Sequence, residues 1–360
     1  MSFESRFAHL GRSQAVLLLI VLLAAIASAV LPQISATAFG PSETRSAEKT
    51  QARGDDLLLY KTIIARVAAG EHYYATAAQE QRAANYPLKP FVTVRLPTLA
   101  YLLAWLGPIA SYGLLISLLG VTLWAYWHRL NGAFTDSGRR ITGVLLIAAG
   151  ASIVFQPKYT VLHEVWAGLL IALAVALKGS SRWYLAVLVG AAALMIRELA
   201  LPCILLMTAF ALFERRWREC IAWVALIVLF GVVMIAHASH VAMVVRPDDL
   251  SSQGWMNIGG WQGYLRSMRL TSSLRVFPDW AANIGVIMAC FGWVSWRSMT
   301  GLLGTLLLAG YAIIFMILGR PENFYWGLLN APMLLLGWAF LPQAFKDLGP
   351  IMLRPKANWT

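Results

Sequence analysis

Ten apolar runs cut by short polar hinges constrain this chain more than any other feature. They lie near 14–32, 97–127, 141–157, 163–178, 183–196, 199–214, 219–241, 281–297, 300–318 and 323–341. An apolar helix of about 20 residues spans the roughly 30 Å hydrocarbon core of a bilayer. Inside lipid, only helices and closed barrels satisfy every backbone group. The expected fold is an all-α polytopic membrane protein with about 10–11 transmembrane helices. Composition agrees: 59% of the 360 residues are hydrophobic and 13% are charged, where soluble domains are about a quarter charged. The chain divides into one transmembrane domain over 1–345 and a short cytoplasmic tail over 346–360. Within the domain, 33–96 forms a first extracytoplasmic loop and 242–280 a second.

Charge orients the spans. The sequence holds 29 Lys+Arg against 17 Asp+Glu, a net charge of +12, and in a membrane protein short basic loops mark the cytoplasmic side. The first run follows Arg6 and Arg12 and reads as an uncleaved helix with its N-terminus inside; Ala27-Ser28-Ala29 would suit a signal-peptide cleavage site. The run 97–127 is too long for one straight span and is broken at Gly107-Pro108. If it crosses once, Arg129, Arg139, Arg140, Lys178, Arg182, Arg215, Arg216, Arg218, Lys346, Arg354 and Lys356 all fall inside. If it crosses twice, they all fall outside, against the bias. One crossing gives about ten spans, both termini in the cytoplasm and a plasma (inner) membrane location.

Other classes drop out. No soluble basic domain carries nucleic-acid binding, and Cys203, Cys220 and Cys290 sit in apolar stretches at unrelated spacings, which suit neither disulfides nor a metal. Walker, dinucleotide and His-Glu-x-x-His motifs are absent. Asp248-Asp249 resembles a metal-binding acidic pair only superficially. Internal repeats, the mark of many transporters, are not apparent.

With this orientation the outer ends carry Lys158, His163-Glu164, Arg197-Glu198, Asp248-Asp249 and Arg320-Pro321-Glu322-Asn323. Ionisable groups at a membrane are costly and tend to line cavities or substrate paths. The first loop adds the pair Asp55-Asp56, then a helical pattern of Leu59, Tyr60, Ile63, Ile64 and Val67 ending at Gly70. That pattern predicts an amphipathic helix in the interface. Tyr73-Tyr74, a second polar helix near 75–84, Tyr86-Pro87-Leu88, Lys89, Arg95 and Pro97 follow.

This order resembles the GT-C glycosyltransferases, in particular the polyprenyl-phosphate-mannose-dependent mannosyltransferases and the lipid A aminoarabinose transferases. The match rests on Asp56 with Tyr60 four residues on, Gly70, Tyr73/Tyr74 and the Tyr86-Pro87-Leu88 turn, and covers roughly 45 residues. Tyr86-Pro87-Leu88 lacks the doubled proline common in that group, and the chain is shorter than many members. The resemblance implies an inverting transfer of a sugar from a polyprenyl-phosphate donor to a lipid or glycan acceptor at the extracytoplasmic face. It implies Asp56 as general base, with Asp55 as its fallback or helper. No cofactor is required, and a divalent metal is compatible with the family but indicated by no motif here. General base catalysis contributes about 10²–10⁴-fold, and a leaving phosphate is matched best by the paired donors of Arg.

The same residues have plainer readings. Asp55 suits the N-cap of a helix beginning at Leu57, and Asp56 in its first turn would be held ionised by the helix dipole. Lys89 and Arg95 are either interfacial anchors or phosphate contacts. His163 and Glu164 open a span. Arg197 and Glu198 form either a self-satisfied pair or a cavity feature. Arg320 and Glu322 stand at a chemically loaded junction, with Arg320 a phosphate candidate, and Phe324-Tyr325-Trp326 reads as an interfacial aromatic belt rather than a sugar platform. In 244–280, Trp255, Trp261, Tyr264, Arg266, Arg269 and Arg275 with three glycines suit either a cover over a carbohydrate or a helix on the membrane surface. A transporter of an anionic lipid-linked glycan and a non-catalytic membrane subunit are the alternative functions.

Overall fold

The computed structural model describes residues 4–38 and 44–353, with side chains described for 4–31 and 56–351. Asp55's side chain and the basic residues Arg354 and Lys356 lie outside them. The described residues are helical, and the only extended pairings are the isolated bridges Lys89–Ser251 and Met256–Leu318.

The apolar runs become α1 (Arg12–Ala38), α4 (Thr98–Leu130), α5 (Ser137–Gly150), α6 (His163–Leu177), α7 (Trp183–Ile196), α8 (Leu201–Phe213), α9 (Trp217–Val244), α11 (Asp279–Ser295) and α12 (Met299–Ile317). The tenth becomes a bent series: a 3₁₀ segment Pro321–Leu329, α13 (Ala331–Leu334) and α14 (Leu341–Leu353). The first loop supplies α2 (Thr44–Ala68) and α3 (Tyr73–Ala83), and the second supplies α10 (Gly260–Thr271). Among the described residues four helices are long and apolar enough to cross a membrane, within Arg12–Leu31, Phe91–Leu130, Trp217–Val244 and Met299–Ile317, and the bent pair adds a fifth where its two parts act as one span. These make the chain a helical, polytopic membrane protein. α6, α7 and α8 are apolar but shorter, at about 1.5 Å per residue reaching only some 20–22 Å. For α6 the reason is burial: every residue but Leu177 is packed inside the protein, so it does not have to match the lipid. The long helices instead present residues such as Leu23, Ile109, Val232 and Ile235 outward.

The predicted break in α4 is present. Gly107 takes φ +72°, ψ 171°, a backbone open to glycine and strained for other residues, and Pro108 follows it. Residues 108–130 then continue as helix over a length of about 34 Å, enough for one crossing.

Successive segments run in alternate directions, so ionisable groups sort to two ends. At one end Arg129 donates to the Ala176 carbonyl at 2.8 Å, Lys178 pairs with Glu214 at 2.7 Å, and Arg216 bridges Glu214 and Glu219 at 2.8 Å each. The segments at Glu4-Ser5 and Asp347 meet at that end: the Ser5 amide donates to Asp347 at 2.8 Å, and Arg297 pairs with Glu4 at 2.9 Å. Residues 346–353 are therefore not a tail. α14 runs through them with Leu348 and Ile351 buried, because its apolar face packs on α11 and the N-terminal segment. The other end gathers α2, α3, α10, the starts of α4 and α6 and the ends of α7, α9 and α12.

Glycines allow the layers to touch. A Cβ on Gly168 of α6 would lie 2.0 Å from the Leu328 carbonyl oxygen. The 3₁₀ segment Pro321–Leu329 thus rests directly on α6, which fixes where the Arg320–Trp326 stretch stands.

The start of the first-loop helix differs from expectation. α2 begins at Thr44 rather than Leu57, so Asp55 and Asp56 lie well inside it. Gly54 does not end it, since a mid-helix glycine costs only about 1 kcal/mol relative to alanine. Asp55 therefore caps nothing: an N-cap needs the unpaired N–H groups of a first turn. Gly70 ends α2 as predicted, at φ +94°.

Candidate functional site

α2 and α3 form a hairpin closed by charge. Arg66 binds Glu71, Glu80 at 2.5 Å and Gln79 at 2.8 Å, which holds the Glu71 carboxyl below its usual range. From this hairpin Asp56 and Tyr60 face the bundle. After α3, Asn85 at φ 58° turns the chain, and the Tyr86 hydroxyl donates to Asp56 Oδ1 at 2.5 Å. Tyr86, in the turn after α3, thus orients the Asp56 carboxylate. Burial pushes the Tyr60 phenol up, so it stays a neutral hydroxyl, and it accepts from Arg95 Nε at 3.3 Å.

These residues border a cavity of about 740 Å³. Of the sequence candidates, Asp56, Tyr60, Tyr86, Arg95, Arg197, Glu198, Arg320 and Glu322 line it. They come from α2, the stretches before α4 and α8, and the 3₁₀ segment, which are far apart in sequence. Arg95 lies 3.7 Å from Glu198, and Arg197 contacts both Glu198 and, at 2.7 Å, Glu164. The Arg197–Glu198 alternatives are therefore both realised, as a paired group that also lines a cavity. Arg320 lies 3.3 Å from Glu322, which is half exposed.

Other candidates stand elsewhere. Lys89 does not reach the cavity; its ammonium donates to the Pro247 carbonyl at 2.9 Å on the exposed side, because Leu88, Lys89 and Ser252 tie the two loops together through their backbones. His163 and Glu164 sit behind the wall rather than in it: Glu164 is buried against Arg197, and the His163 ring meets the Tyr60 ring edge-on at 5.1 Å. Phe324, Tyr325 and Trp326 line the cavity instead of forming a lipid-facing belt, since the 3₁₀ segment turns inward over α6.

Several lining residues, among them Trp255, Gln81, Thr93 and Ser252, are not sequence candidates. Trp255 was visible only as an aromatic of the second loop. Gln81, Thr93 and Ser252 carried no local signal, as tertiary contact alone brings them in. Gln81 Oε1, Thr93 Oγ1 and Ser252 Oγ are buried without a hydrogen-bond partner, which suits a ligand rich in hydroxyls. A smaller annex of about 240 Å³, bordered by Asn257, Gln262 and Arg266, shares the Arg320–Trp326 wall. Among the described residues no group of three His, Cys, Asp or Glu could hold a metal.

The second loop is held over the cavity by Arg82, which donates to Asp249 at 2.5 and 2.8 Å. Asp248-Asp249 is thus a loop tie, not a metal pair. These bonds hold the Asp249 carboxyl at about 2, below its usual 3.8. A depressed folded value stabilises above the ordinary carboxylate range and is lost as pH falls toward the folded value. Proteolysis of the 246–258 loop is expected to be slow at pH 7 and to quicken below about pH 4; Asp249→Asn should cleave fast at both. Equal cleavage of wild type and variant at pH 7 would refute the tie.

No family model, curated protein or solved structure matches the chain. The fold and the site define a helical membrane protein with a polar, aromatic-walled cavity at the end of the bundle away from the Ser5–Asp347 contact.

Proposed function

We propose that this protein is a GT-C-type membrane glycosyltransferase that moves a sugar from a polyprenyl-phosphate donor to a lipid or glycan hydroxyl. The observation that carries the reading is one cavity where an oriented carboxylate, Asp56, shares space with Arg95, Arg197, Arg320 and an aromatic wall. The positive-inside bias of the terminal end supports both termini in the cytoplasm and an extracytoplasmic cavity in the plasma (inner) membrane, with about ten passes. Membrane lipid then surrounds the bundle and takes the donor's chain.

The chemistry is a single displacement. The acceptor oxygen bonds to the anomeric carbon while Asp56 takes its proton. The bond from that carbon to the phosphate oxygen breaks, its electron pair leaves with polyprenyl phosphate, and the anomeric configuration inverts. No cofactor enters this balance. Charge grows on the phosphate as the bond breaks, so fixed cations there favour the transition state over the ground state. The lining Arg residues are balanced by Asp56, Glu198 and Glu322, so the phosphate must displace a carboxylate. Glu322 is the cheapest to displace, because an exposed ion pair contributes only about 0–1 kcal/mol. Arg320 and Arg95 are therefore the phosphate ligands, and Arg197, held by two carboxylates, shapes the wall. Phe324, Trp326 and Trp255 offer faces to a sugar ring.

A transporter of an anionic glycan is less well supported, since α6 has no ionisable residue between Glu164 and Lys178 to carry an anion through the bilayer depth. The test is transfer of label from radiolabelled polyprenyl-phosphate sugars to a membrane lipid and glycan extract by the purified protein. Movement of label from one donor is expected; intact donors throughout would refute the proposal.

A further inference from the structure

Arg95 reaches the cavity from a stretch with little regular structure of its own, the 3₁₀ turn Phe91–Thr93 and the two residues after it. Three side chains hold three consecutive carbonyls there. Gln81 Nε2 donates to Thr93 at 3.2 Å, His237 Nε2 to Val94 at 3.0 Å, and the Tyr73 hydroxyl to Arg95 at 2.8 Å. Gln81 and Tyr73 come from α3, but His237 comes from the middle of the last turns of α9, a long apolar helix in which it is 3% exposed.

The partners assign the imidazole. A carbonyl only accepts, so Nε2 carries the proton; Nδ1 then accepts from the Tyr74 hydroxyl at 3.1 Å. The ring also meets Phe91 edge-on at 5.9 Å. Both nitrogens are thus used, one to orient the ring and one to grip the backbone beside Arg95. A polar side chain buried in a membrane helix is costly.

We propose that His237 is a positioning residue for the donor phosphate: it ties α9 to the Val94 carbonyl and so holds the Arg95 guanidinium where the phosphate binds. This rests on the assignment of Arg95 as a phosphate ligand. The relevant precision is small, since displacing a binding group by about 1 Å can cost up to 100-fold.

The test is the affinity of the purified full-length protein in detergent for polyprenyl monophosphate, the leaving group, for wild type, Arg95→Gln, His237→Leu, His237→Gln and the double variant Arg95→Gln/His237→Leu. Arg95→Gln and His237→Leu should each weaken binding about 10-fold. His237→Gln, whose amide N–H can take the place of Nε2, should restore most of the loss. In the double variant His237→Leu should add nothing to Arg95→Gln, because its effect passes through that side chain. Full affinity in His237→Leu with weakened Arg95→Gln would overturn the inference and leave the phosphate assignment standing. Additive losses in the double variant would show a general packing role and also overturn it. Unchanged affinity in Arg95→Gln would overturn the assignment and the inference together. Where His237→Leu yields no folded protein, Tyr74→Phe, which removes only the hydroxyl that orients the ring, makes the same comparison: a loss in the wild-type background but not in Arg95→Gln supports the inference, and any other pattern overturns it.

Discussion

Replacing Asp56 by asparagine is expected to abolish sugar transfer, lowering kcat by about 10²–10⁴-fold, without weakening affinity for polyprenyl monophosphate. The split follows from where Asp56 sits. It faces the cavity from α2 and takes its orientation from the Tyr86 hydroxyl at 2.5 Å, whereas the proposed phosphate ligands Arg95 and Arg320 come from other segments. Asparagine keeps the size and can still accept from Tyr86, so the fold should persist; what is lost is the capacity to take a proton. A parallel Tyr86→Phe variant should lose less, since it frees the carboxylate to turn without removing it. An Asp56→Asn protein that transfers sugar at the wild-type rate would dismiss the carboxylate as base.

The second large effect is on stability. Arg197 is 1% exposed and Glu164, 2.7 Å away, is 2% exposed. Replacing Glu164 by glutamine leaves the buried guanidinium with Glu198 as its remaining carboxylate partner. Removing one member of a buried pair typically costs about 3–5 kcal/mol, and Glu198, which keeps a quarter of its side chain in solvent, should hold the loss near the lower end. Thermal unfolding in detergent is expected to fall by several degrees. The double variant Glu164→Leu/Arg197→Met should regain much of that loss, as apolar replacements of buried pairs often do, yet it should weaken transfer because Arg197 forms part of the cavity wall. A Glu164→Gln protein that melts with wild type would show that the pair is not buried in the folded state.

The elements that could be read from sequence are those governed by local pattern and by charge. Apolar runs marked α4 to α9, α11 and α12, Gly107-Pro108 marked the break, and Gly70 the end of α2. Of the residues gathered at one end by the positive-inside argument, Arg197, Glu198, Arg320 and Glu322 line one cavity with Asp56, whereas Lys158, His163, Glu164 and Asp248-Asp249 do not. The misreadings have a common physical source. Asp55 looked like a cap because the apolar pattern begins at Leu57, yet α2 starts at Thr44 and runs through Gly54. Lys89 was grouped with Arg95 by proximity in sequence, but the second loop pulls Lys89 away to Pro247. Phe324-Tyr325-Trp326 reads as a belt, but the 3₁₀ segment that carries it rests on α6, where Gly168 meets Leu328, and it lines the cavity instead. Gln81, Ser252 and His237 matter through partners more than 10 residues distant, which no local pattern contains.

The central claim is that this cavity performs a direct, inverting displacement on a polyprenyl-phosphate sugar. The most direct measurement is the anomeric configuration of the transferred sugar, read by NMR after reaction of a donor of defined anomer with the purified wild-type protein. The account expects a product of the opposite anomer, with polyprenyl monophosphate released in equal amount. A product of the same anomer, or a donor left intact by the folded protein, would contradict it.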